Sequence, residues 1–217
     1  MIIEEREKLF VQTPETFCKR FRVDVRIESE ILSIDKNAKT VTVRRQDGEI
    51  YNESYDTLVM STGANPVRPP FPGIDTQGIF TLRNVNDTDV IKEYVALNKI
   101  KRAVVVGAGF IGLEMAENLH ALGATVSIVE MGNQVMAPID YSMASLVHQH
   151  LIQKGVNLYL KRAVASFKKE ADHIEVMFKD GKSIPGDIVI LSIVVRPETP
   201  LAKSAGLDIG EKGGIAV

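Results

Sequence analysis

Cysteine is almost missing from this sequence of 217 residues, because Cys18 is the single one. One thiol cannot form an intrachain disulfide, and no group of cysteines is available to bind a metal ion or to act as a redox dithiol. The neighbouring Lys19 and Arg20 favour a reactive thiolate, but neither a second cysteine nor a glycine-rich helix start accompanies them. We therefore interpret Cys18 as a structural residue.

An excess of one charge and a long apolar run are also missing. The 26 basic residues nearly balance the 28 acidic ones, and the formal net charge is -2. Without a basic block, we expect no nucleic-acid partner. The longest apolar run, 188–195, is far shorter than the about 20 residues that cross a bilayer, and the acidic N-terminus does not resemble a secretory signal. We expect no membrane partner and a cytoplasmic location.

Histidine is scarce, with four residues in the chain. His148 and His150 come closest to a metal-ligand pair, but residues two apart on a helix do not face each other. No Ser/Tyr/Lys constellation for proton transfer is evident either. These observations argue against a zinc site and against a self-contained alcohol dehydrogenase, and we predict no metal.

The first third of the chain has the pattern of an antiparallel ribbon that leads into a further strand. Strand-forming runs occupy 23–27, 40–43 and 57–60, and turn-forming residues separate them. A group of prolines lies between Pro66 and Gly73, and its restricted backbone suits a connector between two domains.

After Gly78 strands and helices alternate, which is the order of a parallel sheet. A helix capped by Asn86 or Asp87 is expected first, with one face formed by Val90, Ile91, Tyr94 and Val95. The later expected elements are strand 103–106, helix 109–122, strand 125–129, helix 140–154, and short strands at 158–160, 163–167, 174–178 and 188–193, with a hairpin turn at 180–181.

A glycine-rich motif joins the expected strand 103–106 to the helix that follows it. Gly107, Gly109 and Gly112 have the G-x-G-x-x-G spacing in the strand-to-helix context that makes it meaningful. In a dinucleotide site the first glycine permits a tight turn, the second lets the pyrophosphate approach the backbone, and the third lets helix and strand pack closely. The alternative is a glycine-rich turn at an ordinary strand-helix junction.

The next expected strand ends in Glu130, about 20 residues after the motif, where such sites carry an acid. Its carboxylate can accept hydrogen bonds from both ribose hydroxyls, whereas a 2'-phosphate would bring its negative charge against it. Residues 131–134 also lack the arginine that usually accommodates this phosphate. The motif therefore predicts binding of NADH rather than NADPH.

Three stretches resemble the flavin-dependent pyridine nucleotide-disulfide oxidoreductases, especially their coenzyme A-disulfide reductase and NADH oxidase branch. The first, 55–66, is similar to the family's second FAD-contacting segment, with Ser61, Thr62 and Gly63 at its turn. The third, 193–199, resembles the family's I-G-x-R-P-N motif beside the cofactor, although Val194 replaces the glycine and is expected to crowd the dinucleotide.

The second stretch, 107–130, includes further positions of the resemblance. Phe110 occupies the family's aromatic gate position, which covers the flavin until nicotinamide displaces it, and Ile111 belongs to the same expected contact set. Glu114 matches the family's glutamate near the flavin and nicotinamide rings. From the sequence alone, Glu114 could also be a polar residue on the inward helix face, and Phe110 could be core packing.

The resemblance implies an α/β protein in which a Rossmann-like NAD(H)-binding domain, 79–202, is inserted in a partial FAD-binding domain, 1–78 with 203–217. It implies a three-layer fold with an antiparallel β-ribbon. The family's redox cysteine and first FAD motif are expected upstream of Met1, so we expect no catalytic residue here. FAD would then be bound only in the complete protein, a homodimer, and this chain would be a fragment that is inactive alone.

Three functions remain open from the sequence. The leading one is the NADH-binding portion of a flavoprotein that reduces a coenzyme A disulfide, a persulfide, a peroxide or oxygen. The second is a stand-alone NAD-binding regulatory module, against which the FAD-like stretch 55–66 argues. The third, a self-contained dehydrogenase, lacks the residues for proton transfer.

Overall fold

The computed structural model describes Arg6 and residues 11–216. Its helices are α1 Pro14–Phe21, α2 Val85–Asn98, α3 Phe110–Ala121, α4 Tyr141–Gln153 and α5 Pro200–Ser204. Its strands are β1 Ser29–Asp35, β2 Thr40–Arg45, β3 Ile50–Ser54, β4 Ala64–Pro66, β5 Ile79–Thr81, β6 Arg102–Val106, β7 Thr125–Val129, β8 Asn157–Tyr159, β9 Val164–Lys169, β10 Ile174–Phe178, β11 Ser183–Gly186, β12 Ile188–Leu191 and β13 Val195–Pro197. No described helix is long and apolar enough to cross a membrane.

The chain forms two compact units, and the second is inserted in the first along the sequence. The first unit contains the described residues up to Gly63 and those from Pro197 onward, and the second is Ala64–Arg196. These limits differ from the expected 78/79 and 202/203. Segment 64–78 groups with the second unit because Phe167 N–H donates to Pro72 O at 2.8 Å.

The first unit contains the antiparallel ribbon, with strand order β1-β2-β3. The strand expected at 40–43 is confirmed within β2. The strand expected at 23–27 is wrong, because the left-handed φ of Glu28, 54°, interrupts the extended chain just before β1 begins. The strand expected at 57–60 is also wrong, since these residues pair with no strand in the described part of the chain.

Two helices of the first unit, α1 and α5, were not expected. Thr13 caps α1, its side chain accepting from Thr16 N–H while the Thr16 hydroxyl lies 2.9 Å from Thr13 N, and Pro14 occupies the first turn. This reciprocal cap is a sequence signal for a helix start. Cys18 lies on this helix and is half-buried.

The second unit is built on a five-stranded sheet with the order β5-β12-β6-β7-β8. All four pairings are parallel, which confirms the predicted parallel sheet. A second sheet, β11-β10-β9, is antiparallel, and the hairpin turn predicted at 180–181 joins β10 to β11. The α/β class is therefore confirmed.

The start of α2 corrects one expectation. Its cap is Asn84, whose side chain accepts from Asp87 N–H at 3.1 Å, so Asp87 is the third helical residue rather than the cap. The expected buried face is also partly wrong. Ile91 is 4% exposed, but Val90 is 53% exposed, because the helix presents a narrower stripe to the sheet than the apolar spacing suggested.

The parallel sheet is buried on both faces, which makes the unit three-layered. Alternate residues of β6 belong to two different cores: Val105 packs with residues of α2, α3 and the neighbouring strands, and Val104 packs with residues of β9, β10 and β11. A sheet covered on both faces leaves its strand ends as the places where a ligand can reach the backbone. The carboxyl ends of β6, β7 and β12 are the relevant ones here.

Candidate functional site

The order of the parallel strands defines a crevice in the second unit. From β6 the chain adds β7 and β8 on one side, and β12 lies on the other side. The carboxyl ends of β6 and β12 therefore meet where the strand order reverses, which is where open α/β sheets bind ligands. Ser192 N–H, just after β12, donates to Val106 O at 2.8 Å and closes the bottom of this crevice.

The three positions of the motif after β6 differ in why they are occupied by glycine. Gly107 has a φ of 102°, and a Cβ there would lie 2.4 Å from Ser192 O. A Cβ on Gly112 would lie 2.0 Å from Gly107 O, so these two glycines are required by packing. At Gly109, φ is -77°, and no atom of the described residues lies within 4 Å of a Cβ. Packing therefore does not require glycine at this position, which is the N-cap of α3.

Glu130 joins the glycine turn, Gly107–Gly109, to the segment that follows β7. Its Oε2 accepts from Ala108 N–H at 2.9 Å, and its Oε1 accepts from Gly132 N–H at 2.7 Å. We call residues 130–136 the Glu130 loop. Met136 N–H at its end donates to Ala108 O at 2.8 Å. The carboxylate is half-buried, and its remaining lone pairs can accept further hydrogen bonds.

A cavity of about 220 Å³ opens beside the glycine turn and Glu130. It is also lined by two cationic residues that the sequence analysis missed, Arg162 and Lys179. Arg162 donates its backbone N–H to Glu130 O at 2.9 Å, and its guanidinium is paired with Asp180. No local sequence motif indicates these two cations, because they lie in the connections that follow β8 and β10.

The residues expected beside the nicotinamide have exposed side chains. Phe110 and Ile111, at the start of α3, are 60% and 42% exposed, so Phe110 is not a core residue. Glu114 is exposed, so the alternative interpretation, a polar residue on the inward helix face, is wrong. Val194 is 52% exposed, and its carbonyl accepts from Val67 N–H at 2.9 Å. Its backbone does not have the left-handed φ that would demand glycine.

A second group of expected site residues lies in the first unit. Thr62 Oγ1 donates to Glu198 O at 2.6 Å, and Glu198 N–H donates to Gly63 O at 2.9 Å. The structure thus brings the stretch around Ser61 together with the end of the 193–199 stretch. Both border a cavity of about 700 Å³ with apolar walls that include Leu58, Met60 and Leu207.

The ion pair between Arg102 and Asp187 lies away from this site. Arg102 begins β6 and pairs with Asp187, which directly precedes β12, so the pair lies at the amino ends of these strands. Burial works to raise the pKa of Asp187, but hydrogen bonds from the Arg102 guanidinium and from backbone N–H groups hold that pKa below its usual value. This pair fixes the sheet and is not part of the crevice.

Comparisons with known proteins match nearly the whole chain. The model of the pyridine nucleotide-disulphide oxidoreductase family matches residues 3–217. An NADH oxidase of Methanocaldococcus jannaschii is 34% identical over 96% of this chain and 47% of its own length. A coenzyme A disulfide reductase of Staphylococcus haemolyticus is 33% identical over 100% of this chain and 48% of its own length.

A solved structure agrees with these relatives. The crystal structure of reduced Bacillus anthracis CoADR-RHD superposes with a TM-score of 0.92 and 47% identity, covering 97% of this chain and 38% of that one. The chain spans about half the length of the curated relatives it matches. With a family match that extends over residues 3–217, the chain belongs to the pyridine nucleotide-disulphide oxidoreductase family.

Proposed function

We propose that this chain is the NADH-binding portion of an FAD-dependent oxidoreductase that passes hydride from NADH to flavin. The observation that carries the proposal is Gly109, whose bare backbone faces open space at the mouth of the crevice. Packing explains Gly107 and Gly112 but leaves Gly109 unexplained. A pyrophosphate that approaches the backbone at the start of α3 explains it.

The remaining contacts of the dinucleotide follow from this placement. The N-terminus of α3 offers backbone N–H groups and a positive dipole end to the pyrophosphate. Glu130, already fixed by Ala108 and Gly132, accepts the ribose hydroxyls. Phe110, Ile111, Glu114 and Val194 are proposed to border the nicotinamide.

The first unit is proposed to hold part of the flavin site. Ser61, Thr62 and Gly63 border the larger cavity, and their backbone is fixed by the hydrogen bonds to Glu198. When bound, FAD accepts a hydride from NADH and passes electrons onward. The role of this chain is to hold NADH at the crevice and to contribute the Thr62 turn to the flavin site. The apolar walls of that cavity are better suited to contact a large ring system than to contact water.

The activity of the complete protein is a further part of the proposal. The curated relatives are about twice as long as the stretch that this chain matches. One is named as an oxidase of NADH and another as a reductase of coenzyme A disulfide. We propose a disulfide or oxygen as the substrate of the complete protein, a cytoplasmic homodimer with its redox cysteine upstream of Met1. The present chain is then inactive alone.

Calorimetric titration of the purified chain with NADH and with NADPH tests the proposal. The chain has no tryptophan, so quenching of tryptophan fluorescence is not available as a readout. We expect one NADH per chain and NADPH binding at least about tenfold weaker, the effect of about 1.4 kcal/mol of repulsion. Failure of both nucleotides to bind would sink the proposal. Stoichiometric bound flavin with NADH-driven disulfide reduction would instead show that the chain is active alone.

A further inference from the structure

A buried histidine behind the Glu130 loop has no part in the binding scheme above. His148 lies on α4 and is 8% exposed. Its Nε2 accepts a hydrogen bond of 3.1 Å from Val135 N–H, within the Glu130 loop. The ring of Tyr141 packs edge-on against it, with the ring centroids 6.1 Å apart. The imidazole therefore supports the loop at Val135, next to Met136, which contacts the glycine turn.

Hydrogen bonds continue from Val135 to the proposed ribose site. Met136, the next residue, donates its N–H to Ala108 O at 2.8 Å, and Ala108 N–H donates to Glu130 at 2.9 Å. Met136 also has a left-handed φ of 50°. A non-glycine residue keeps such a conformation only when its surroundings hold it there. The bond from Val135 to His148 is one of the contacts that hold it.

The bond fixes the protonation state of the ring. A backbone N–H can only donate, so Nε2 must be unprotonated, and the ring proton of a neutral His148 is assigned to Nδ1. A protonated imidazole donates from both nitrogens and has no acceptor for Val135.

We propose that His148 is a positioning residue for the dinucleotide, because its neutral ring holds the Glu130 loop in the shape that binds the ribose. The inference rests on the proposed function. Its consequence is that NADH binding weakens when position 148 offers no acceptor to Val135 N–H, although His148 acts through the loop rather than on the nucleotide.

The test is calorimetric titration of the full chain with NADH. His148→Leu has no acceptor for Val135 N–H and is expected to bind about three- to tenfold more weakly than the wild type, the effect of one lost hydrogen bond. His148→Gln, whose amide oxygen can accept from Val135 N–H, is expected to keep the wild-type affinity.

His120→Gln and His150→Gln change exposed histidines on α3 and α4 and should bind NADH like the wild type. Thermal unfolding should show that each variant is folded. Should His148→Leu not fold, His148→Phe, which lacks an acceptor but keeps an aromatic ring against Tyr141, takes its place. Wild-type affinity in a folded variant without the acceptor, or a loss in His148→Gln as large as in that variant, would each overturn the inference and leave the proposed function standing. No NADH binding by the wild type would overturn the proposed function itself.

Discussion

Ala108 N–H donates to Glu130 Oε2 at 2.9 Å, so the middle residue of the glycine turn is joined directly to the acid at the end of β7. Glu130 also accepts from Gly132 N–H at 2.7 Å, using its other oxygen. One carboxylate thus organises both halves of the proposed binding site before any nucleotide arrives. A substitution by glutamine removes the charge and one acceptor oxygen of this side chain while keeping its size, so these properties can be tested separately from its size.

Glu130→Gln is expected to weaken NADH binding by about three- to tenfold, because one amide oxygen cannot replace two carboxylate oxygens. The difference in affinity between NADH and NADPH should become smaller, since the uncharged amide no longer repels the 2'-phosphate. Calorimetry with both nucleotides measures the two effects. Glu117→Gln, at an exposed position of α3, removes the same charge and should change neither. An unchanged NADH to NADPH ratio in Glu130→Gln would contradict the proposed role.

Gly109→Ala and Gly112→Ala form a matched pair. At Gly109 the φ of -77° suits alanine and the space is open, so the melting temperature should fall only slightly, the effect of a less favourable N-cap residue on α3. NADH binding should fall at least about tenfold, because the methyl group occupies the pyrophosphate position. At Gly112 the new Cβ would meet Gly107 O at 2.0 Å, and we expect a loss of about 1–3 kcal/mol in the free energy of unfolding.

The pair fails as evidence for the site if Gly109→Ala binds NADH like the wild type. Thermal unfolding and calorimetry on the same samples separate the two effects. A Gly112→Ala variant of unchanged stability would show that α3 can shift away from the glycine turn.

Local patterns predicted the second unit well and the first unit poorly. Strand 125–129 matches β7 residue for residue, because four of its five residues are β-branched, a side-chain type that favours strands, and Gly123 precedes it. The exposed residues of 23–27 and 57–60 have strand-forming side chains but make no ladder in the described structure, where β3 makes the ladder with β2. Pairing with a neighbour, rather than propensity, decides such short strands.

The candidate site shows the same division. The glycines and Glu130 were predictable because their spacing reflects one continuous strand-turn-helix-strand unit. Arg162, Lys179 and His148 were not, since each reaches the site region or its supporting loop from a distant part of the chain. A histidine on an expected helix gives no sign that its ring accepts from a loop thirteen residues earlier.

Val194→Gly is expected to raise the affinity for NADH by about two- to fivefold, because it removes an exposed branched side chain proposed to crowd the nicotinamide. The melting temperature should change little, since Val194 contributes a backbone acceptor that glycine keeps. Val195→Gly, at a neighbouring residue of similar exposure, is the control for added backbone freedom. Equal affinities of Val194→Gly and the wild type would show that the valine is tolerated.

His173 gives the antiparallel sheet a pH-dependent contribution to stability. Its hydrogen bond with Asp172, 2.7 Å, and a second with Glu175, 2.9 Å, raise the pKa of the imidazole. A raised folded pKa stabilises the fold fully below the unfolded value, about 6.5, and that stabilisation is lost as pH rises through the folded pKa. At low pH this stabilisation is limited by Asp172, whose pKa is lowered in the folded protein. The contribution of the Asp172 carboxylate is lost as the pH falls through that lowered pKa.

The wild type should therefore exceed His173→Gln in melting temperature by a larger margin near about pH 5.5 than near about pH 8.5. His120→Gln, which changes an exposed histidine on α3, should show the same small difference at both pH values. A difference between wild type and His173→Gln that grows with pH would show that the imidazole is stabilised in its neutral form instead.

Asp187 and Glu49 test whether an ion pair stabilises through charge or through buried hydrogen bonds. Asp187 accepts from Lys101 and Arg102 N–H, each at 2.9 Å, and from the Arg102 guanidinium at 2.6 Å and 3.0 Å, with its side chain 16% exposed. Asp187→Asn turns one acceptor oxygen into a donor facing other donors, so we expect a loss of about 1–3 kcal/mol in the free energy of unfolding.

Glu49→Gln breaks the exposed pair with Arg45 in the ribbon, where both side chains are about half exposed, and should cost less than about 0.5 kcal/mol. Denaturant unfolding of both variants measures the contrast. Losses of equal size would mean that net charge, rather than the buried hydrogen bonds at the amino ends of β6 and β12, governs the stability of the pair. Because that pair lies at the end of the strands away from the crevice, the NADH affinity of folded Asp187→Asn should equal that of the wild type.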